Sequence, residues 1–365
     1  MDHSKRQHLT RQLGDTLRSL ISAELQPGEL IPSQSVLCQR FGVAAGTVVK
    51  AVAGLEREGL VVRQHGRGTF VADRKAPLIG VVMGRQSGAA DPCEKVLAEA
   101  AAEGRLRCRV YRRDGKTDFI SRIVADRVQG VLGIGMTREE RLSILVKNHI
   151  RVVVTDWIRP FPGVSSVGLD SFRAGQLAAE TLLHAGHTRI GFVGFQPFDE
   201  IGQTYAAESD VELRHAGVIT ALLNHGLAPD PAHFVRLRLP AAFEIRAGTF
   251  TAQDACRQLF QKGPAPTALV YADEKHAEQG LTEALTALGL AAPRDLSAIT
   301  IKYFVKADPF TAVGCELEAL VQEAVDMLLA QLSGATRHDS NRVLVEATLR
   351  EGHSVAACKQ EGESA

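Results

Sequence analysis

The residues best suited to chemistry near the start of the chain are basic and hydroxyl side chains. Lys50 follows Thr47 by one helical turn, and His65 and Arg67 flank Gly66 in a glycine-rich stretch. Such side chains donate hydrogen bonds to phosphate oxygens, and a glycine lets the backbone approach a partner closely. A local role competes for single residues, since Thr47 could cap a helix and Arg67 could be solvated. The pattern indicates two stretches suited to contact a polyanion.

The charge of the chain is unevenly distributed although it sums to zero. Residues 1–75 contain 11 basic and 7 acidic residues, a net charge of +4, and the rest of the chain carries −4. A small basic segment joined to a larger acidic one is typical of a nucleic-acid reader with a separate second domain.

Apolar periodicity places these stretches on three helices and a hairpin. Leucines at helical spacing predict a helix over 8–24, and Ser33 is the expected N-cap of a short second helix. A third helix is predicted over 44–58, followed by short strands at 60–62 and 69–71. The residues expected to face the core from the second helix are Val36, Leu37 and Phe41. Three helices followed by a hairpin describe a winged helix-turn-helix, whose third helix points its first turn at a major groove.

From residue 78 onward, short β-branched runs alternate with amphipathic helical stretches. The predicted strands are 78–83, 128–135, 151–156, 189–194 and 268–273. The predicted helices are 94–103, 138–148, 171–185, 212–225, 251–262 and 276–288. Apolar strands between helices are typical of parallel sheets covered on both faces, and this length suits two lobes better than one. The predicted class is α/β, with a DNA-binding domain at 1–73, a linker at 74–77, a two-lobed parallel-sheet domain at 78–358 and a polar tail at 359–365.

Residues 8–72 resemble the GntR family of winged-helix regulators. The resemblance is carried by LQPGELIPSQSVLCQRFGVAAGTVVKAVAGLEREGLVVRQHGRGTFVA, with its PG turn, PS helix start, GTV helix opening and GRGTF wing. The residues that it implies as DNA contacts are Ser33, Ala45, Thr47, Lys50, His65, Gly66 and Arg67. The chain has Ala45 and Val49 where arginines are common in the family, and Gln34-Ser35 where Glu-Arg is usual. These departures imply a changed operator, or weaker monomer binding that depends more on dimerisation.

Residues 78–354 resemble the effector domain of LacI/GalR regulators, which is similar to periplasmic sugar-binding proteins. The clearest block is VGLDSFRAGQLAAETLLHAGHTRIGFVG (167–194), and shorter ones are VQGVL, ELRHAGVITALLNHGL and GLAAPRDLS. A GntR-type reader joined to this sensor resembles the arabinose-repressor subgroup. Ligands of such folds are expected between two α/β lobes, at the carboxyl ends of strands.

The resemblance assigns Asp170 and Arg214 to effector-contacting positions. A guanidinium suits hydroxyl or carboxylate groups, although a structural salt bridge is the alternative role of Arg214. The family usually has an Asn-Asp pair after its fourth strand. Ala272-Asp273 matches this pair if the alignment contains a gap, and Lys275 takes its place if it does not. Lys302 stands at a further position where the family usually has an aspartate. These two lysines suit an acidic effector such as a sugar acid or sugar phosphate, or are simply surface residues. Further effector candidates are Arg85, Gln86 and Trp157, the only tryptophan.

Several classes of protein are disfavoured by the sequence. No apolar run reaches the roughly 20 residues of a membrane span, and the first residues contain no secretory signal. The six cysteines are scattered, so we predict a cytoplasmic protein with reduced thiols. His184 and His187 in HAGH lack further ligands, so we predict no metal site and a structural role for this turn. We also predict no cofactor.

The leading hypothesis is a DNA-binding transcriptional regulator that is controlled by a carbohydrate-like effector. A repressor is the favoured form, and activation on effector binding is the alternative. The regulator is expected to act as a homodimer on a palindromic duplex operator, with the effector closing the cleft and changing the spacing of the two readers. One alternative is a pyridoxal-phosphate enzyme, since some GntR-type chains carry an aminotransferase domain, but the chain lacks the length and lysine context. The other is a free sugar-binding transport protein, which the missing signal and the DNA-reading segment disfavour.

Overall fold

The chain forms two compact units, and each contains a six-stranded sheet. The computed structural model describes residues 3–23, 25–57, 60–64, 67–71, 76–83, 90–112, 119–134, 139–155, 161–198, 210–240, 252–261, 264–272, 277–304, 309–334 and 341–358. The first unit comprises Met1–Val167 and Val321–Arg342, and the second comprises Gly168–Leu320 and Val343–Ala365. The chain therefore passes between the units three times.

The elements of the first part of the chain are a helical segment with a hairpin, followed by alternating strands and helices. In chain order they are α1 (His3–Ala23), α2 (Gln34–Phe41), α3 (Ala45–Arg57), β1 (Val61–Gln64), β2 (Gly68–Val71), β3 (Leu78–Met83), α4 (Ala90–Ala102), β4 (Arg107–Arg112), α5 (Phe119–Ala125), β5 (Gly130–Gly133), α6 (Glu139–Lys147), β6 (Arg151–Thr155) and β7 (Val164–Leu169).

The remaining elements continue the same alternation. They are α7 (Ser171–His184), β8 (Ile190–Phe198), α8 (Asp210–Asn224), β9 (Phe234–Pro240), α9 (Ala252–Leu259), β10 (Ala268–Ala272), α10 (Ala277–Ala287), β11 (Ser297–Phe304), β12 (Thr311–Glu316), α11 (Leu317–Leu332), β13 (Arg342–Val345) and β14 (Thr348–Arg350).

The helical segment has its own apolar core. The side chains buried in it include Leu13, Leu17, Ile21, Leu37, Val48, Val52, Leu55, Val61 and Val71. Leucine and valine at a spacing of three or four residues put one stripe of each helix into this core. Leu37 is buried and Phe41 half-buried, as predicted. The prediction for Val36 is wrong, since this side chain is 47% exposed. It lies about 100° around the short helix from Leu37, outside the stripe.

Each of the two larger sheets has six strands and is mainly parallel. The strand order is β4-β3-β5-β6-β7-β13 in one and β9-β8-β10-β11-β12-β14 in the other. The first five strands of each order pair in parallel, and β14 runs antiparallel to β12. Buried side chains of the second sheet pack against α9 and α10 in a core that includes Val193, Leu269, Tyr271, Ala298 and Leu281. The α/β class with an N-terminal winged helix-turn-helix is confirmed.

The predicted strands and helices all occur, with ends shifted by up to about five residues. The sequence patterns did not predict α5, α11 or the strands β4, β9 and β11 to β14. Glu316 ends β12 and Leu317 begins α11, so no glycine or proline separates the two elements. Ala76 of the predicted linker is buried, and the Pro77 carbonyl accepts a hydrogen bond from the Arg107 amide at 2.8 Å.

No single helix in the described part of the chain is long and apolar enough to cross a membrane. The pair Gln34–Phe41 and Ala45–Glu56 passes that test only when taken together, and it bends by 113° at its break. None of the six cysteines, all in the described part of the chain, forms a disulfide.

Candidate functional sites

The first candidate site is the helix-turn-helix formed by α2 and α3. Ser33 is the N-cap of α2 as predicted, with its Oγ accepting a hydrogen bond from the Val36 amide at 3.4 Å. Gly42 ends the helix in the left-handed conformation at φ 62°, which glycine adopts without strain. The chain then turns sharply into α3. The angle between the helices lies within the range usual for helix-turn-helix motifs.

One face of α3 is buried and the other is open to solvent. Val48, Ala51, Val52 and Leu55 are buried, whereas Ala45, Gly46, Val49 and Lys50 are exposed and Thr47 is half-buried. The Ala44 carbonyl accepts hydrogen bonds from the amides of Thr47 and Val48 at 2.8 and 3.3 Å, so the helix is already formed at the predicted contact residues. The structure thus places Ala45 and Lys50 on the accessible side of the helix.

The wing is an antiparallel hairpin extended by a preceding segment. β1 pairs with β2, with Arg63 opposite Thr69, and the Ile31 amide donates to the Thr69 carbonyl at 2.8 Å. Gly68 has a φ of 121°, and a Cβ there would lie 2.5 Å from Leu30 Cδ1, so this position requires glycine. Arg67 next to it is exposed. His65 and Gly66 lie outside the described residues.

A cationic residue that the sequence reasoning missed lies between wing and helix. Arg63 is on β1, its guanidinium lies 3.5 Å from the Val49 carbonyl oxygen, and its Nε lies 3.6 Å from a Glu56 carboxylate oxygen. Its side chain is still 43% exposed. Val61, two residues earlier on the same strand, is buried. Side chains two residues apart share one face of a strand, so alternation gave no signal for the exposure of Arg63.

The second candidate site is in the second unit, where helices begin after strands. Asp170 follows β7 and is the N-cap of α7, its Oδ1 accepting from the Arg173 amide at 2.9 Å. The Asp170 amide donates to the Val345 carbonyl at 2.9 Å. Its carboxylate therefore has a structural role in addition to the predicted contact with an effector, which stays a prediction.

Arg214 is on the neighbouring helix, α8, and is only 1% exposed. Ser171 Oγ donates to Asp210 Oδ1 at 2.9 Å, which joins the first turns of α7 and α8. The structure therefore brings the predicted residues Asp170 and Arg214 to the beginnings of two adjacent helices. Burial of a guanidinium lowers the stability of the fold unless the group is well hydrogen-bonded. Stability alone therefore does not explain an arginine at this buried position.

Two glycines set the distance between these helices. A Cβ on Gly175 would lie 2.7 Å from the carbonyl carbon of Arg214 and nearer still to its oxygen. A Cβ on Gly217 would lie 2.7 Å from the Gln176 nitrogen and nearer still to the Phe172 oxygen. The two backbones are thus in direct contact, and the sequence reasoning missed both positions as determinants of where Arg214 lies.

The other predicted effector residues have different outcomes. Arg85, Gln86, Trp157, Asp273 and Lys275 lie outside the described residues. Lys302 is half-buried on β11, beside the buried side chains of Thr300 and Ile301. A shallow cavity of about 330 Å³ lies at the amino end of β6 between Val146, His149, Ile150, Arg151 and Gly163, and it contains none of the predicted residues.

The Gly-His turn of HAGH has a structural role, as predicted. His187 is buried, with Nδ1 hydrogen-bonded to Thr267 Oγ1 at 3.0 Å and Nε2 donating to the Ala356 carbonyl at 3.0 Å. Nε2 also lies 2.9 Å from Ser297 Oγ. Burial holds the pKa of His187 below its usual value, which favours the neutral ring.

The fold and these sites define a class of protein in which a winged helix-turn-helix is joined to two parallel α/β units. Residues 162–355 match the family described as periplasmic binding protein-like domain, and residues 9–71 match the bacterial regulatory proteins of the gntR family. The chain belongs to the periplasmic binding protein-like family and carries a gntR-family segment at its N-terminal end. The resemblances to GntR and LacI/GalR regulators are confirmed, and the arabinose-repressor subgroup stays a prediction.

Individual proteins are similar to different parts of the chain. The transcriptional regulator GntR of Pseudomonas aeruginosa is 24% identical over 235 residues, which are 63% of each chain. The transcriptional repressor NagR of Bacillus subtilis is 40% identical over 65 residues, which are 18% of this chain and 27% of NagR. This chain thus spans less than two thirds of either relative. The solved structure of a CelR–cellobiose complex has a TM-score of 0.60 at 18% identity, covering 89% of this chain and all of that one.

Proposed function

We propose that this protein is a transcriptional repressor that binds duplex DNA through its winged helix-turn-helix and is controlled by a small molecule. The observation that carries the proposal is the exposed face of α3, bordered by the exposed cations Lys50, Arg63 and Arg67. A recognition helix enters the major groove with such a face, and basic groups around it neutralise phosphates. The names of the two relatives, a regulator and a repressor, support the same role.

The effector that we propose is a carbohydrate or a carbohydrate derivative. Membership of the periplasmic binding protein-like family supports this, as does the cellobiose of the similar CelR structure. Asp170 and Arg214 would hydrogen-bond its hydroxyl groups, and the other candidates are Arg85, Gln86, Trp157, Asp273 and Lys275. Positive charge from Lys275 and Lys302 would suit an acidic sugar derivative.

We further propose a homodimer on a palindromic operator, in the cytoplasm and without catalytic activity. A two-fold symmetric protein matches two half-sites about one helical turn apart. The enzyme alternative predicts pyridoxal-phosphate absorbance, and a purified protein without absorbance near the visible would disfavour it. The transport alternative predicts ligand binding without any DNA binding.

The experiment that tests the proposal is a gel-shift series with the full-length protein and duplexes from the flanks of its own gene. A shifted band is expected at nanomolar to micromolar protein, and one of a set of sugars and sugar acids is expected to weaken it. Analytical ultracentrifugation of the complex should give two protein chains per duplex. A protein that retains none of the duplexes at low salt would contradict the proposal.

A further inference from the structure

The open face of α3 carries an apolar row that the fold does not need. Ala45 and Val49 are four residues apart, so their side chains lie one above the other on the same side of the helix. Val49 is 40% exposed, whereas the adjacent Val48 is 1% exposed and belongs to the core. A β-branched residue is also a weaker helix former than alanine. Neither packing nor helix propensity accounts for valine at this position.

Gly46 lies beside this apolar row and leaves the helix backbone there uncovered by a side chain. A Cβ built on Gly46 meets no atom within 4 Å, so no neighbour in the described part of the chain requires glycine there. Gly46 lies in the first turn of α3, where glycine gains no contact that alanine would lack. A glycine on the exposed side, one turn before Lys50, allows a bound surface to approach the helix backbone closely.

Cations border the apolar row. Lys50 is exposed on the same helix, and the exposed guanidinium of Arg63 lies beside the Val49 carbonyl. An apolar strip between cations complements a major groove, where phosphates border the base edges. The apolar group on those edges is the C5-methyl group of thymine, which no other base of DNA carries.

We propose that Val49, together with Ala45, contacts the methyl group of a thymine in each half-site. This inference rests on the proposed DNA-binding function and adds the base that is read. A side chain of two methyl groups without donors cannot select guanine by hydrogen bonding, so thymine is the base that Val49 distinguishes by contact. The neighbouring cations then contribute affinity without sequence preference.

The test replaces single methyl groups on the DNA. Duplexes that the full-length protein binds are selected from a randomised pool, and each thymine of the selected duplex is replaced in turn by deoxyuridine. Affinity is expected to fall about four-fold at one position per half-site, the effect of exposing one buried methyl group. Replacement at the other thymines should leave affinity unchanged.

A protein variant identifies the partner of that methyl group. Val49→Ala is expected to lose the sensitivity to deoxyuridine at the responding position, because the methyl then has little to contact. Val110→Ala is the matched control, since Val110 is 39% exposed on β4, and it should keep the sensitivity in full. Selected duplexes that respond to deoxyuridine at no position, or a Val49→Ala protein that responds like the parent, would overturn the inference. If the selection enriches no duplex, the proposed function fails and this inference fails with it.

Discussion

Among single side chains, Arg214 is the clearest case of a buried charge that lowers the stability of the fold. It is the largest side chain among the fully buried ones in the described part of the chain. Desolvation of an ion costs several kcal/mol, and hydrophobic residues of similar volume often replace such groups without loss. A buried arginine that serves only stability is therefore a poor solution, which supports its proposed contact with the effector.

Replacement of Arg214 is expected to remove effector binding without removing DNA binding. Arg214→Met keeps most of the volume and loses every donor, so the folded protein should show no rise in Tm with the effector that stabilises the parent. Arg214→Ala should behave alike. The control is Arg236→Ala, since exposed Arg236 pairs with Glu212 at 2.6 Å in the same unit. A Met variant with the parent's thermal shift would remove Arg214 from the site.

Lys50 is expected to contribute affinity for any duplex. Because each neutralised phosphate releases counterions, Lys50→Ala should weaken binding to all sequences alike and reduce the slope of log K against log salt by about one. Filter binding or anisotropy between about 50 and 200 mM salt measures this slope. Lys147→Ala, at an exposed site on α6, should leave the slope unchanged. A Lys50→Ala slope equal to the parent's would exclude a phosphate contact.

At the scale of secondary-structure elements, the packing of α7 against α8 determines where the candidate effector residues lie. Residues 171 and 175 of one helix lie by residues 210 and 214 of the other, so the helices run parallel with their backbones in contact. Side chains larger than hydrogen at Gly175 or Gly217 would meet backbone atoms, which cannot rotate away. The close crossing places the backbone of Arg214 relative to Asp170.

Gly217→Ala is therefore expected to destabilise the protein by at least about 2 kcal/mol, since overpacking against backbone forces the helices apart. Urea denaturation measures this change. Gly168→Ala is the control, because a Cβ there meets no atom within 4 Å, and its stability should equal or slightly exceed that of the parent. Equal stabilities for Gly217→Ala and the parent would show that the crossing adapts at little cost.

The His187 cluster joins the starts of β10 and β11 to the segment around Ala356, and it predicts a pH dependence. Because the pKa of His187 is lowered in the fold, the unfolded chain binds a proton at higher pH than the native one. Stability should then fall as the pH drops below about 6.5. His187→Asn should reduce this fall in urea titrations between pH 7 and 5.5, whereas His149→Asn, at an exposed position, should not. Identical pH profiles for parent and His187→Asn would contradict the argument.

At the scale of the whole molecule, the proposed regulation is a free-energy coupling between two binding events. A ligand that binds only the native state at 100 times its Kd stabilises it by about 2.7 kcal/mol, so thermal-shift screening of carbohydrates and sugar acids should reveal the effector. Coupling is reciprocal. The factor by which the effector weakens operator binding must equal the factor by which the operator weakens effector binding.

Calorimetric titration of the effector with and without saturating operator measures this reciprocity. The affinity for the effector is expected to fall in the presence of operator by about 5- to 150-fold, the usual range of allosteric coupling. A randomised duplex that the protein does not retain is the control. An effector affinity that is the same with and without operator would show that the two events are independent.

The sequence alone determined the class of fold and most of its elements. Helical and alternating apolar spacing is a local property, so α2 with its cap at Ser33, α3 and the main parallel strands were predictable. The basic start of the chain and the GRGTF wing were equally visible, and Ala45, Lys50 and Arg67 proved to be exposed as a contact requires.

Only the tertiary structure decided which residues meet across the chain. The burial of Arg214, its backbone contact with Gly175 and the hydrogen bonds of His187 to Thr267 and Ala356 join residues that are dozens of positions apart. The exposure of Val36 and Val49 was likewise decided by which side of each short helix the core covers. Local spacing limits such contacts without selecting among them, because burial and close packing depend on all the elements that surround a residue.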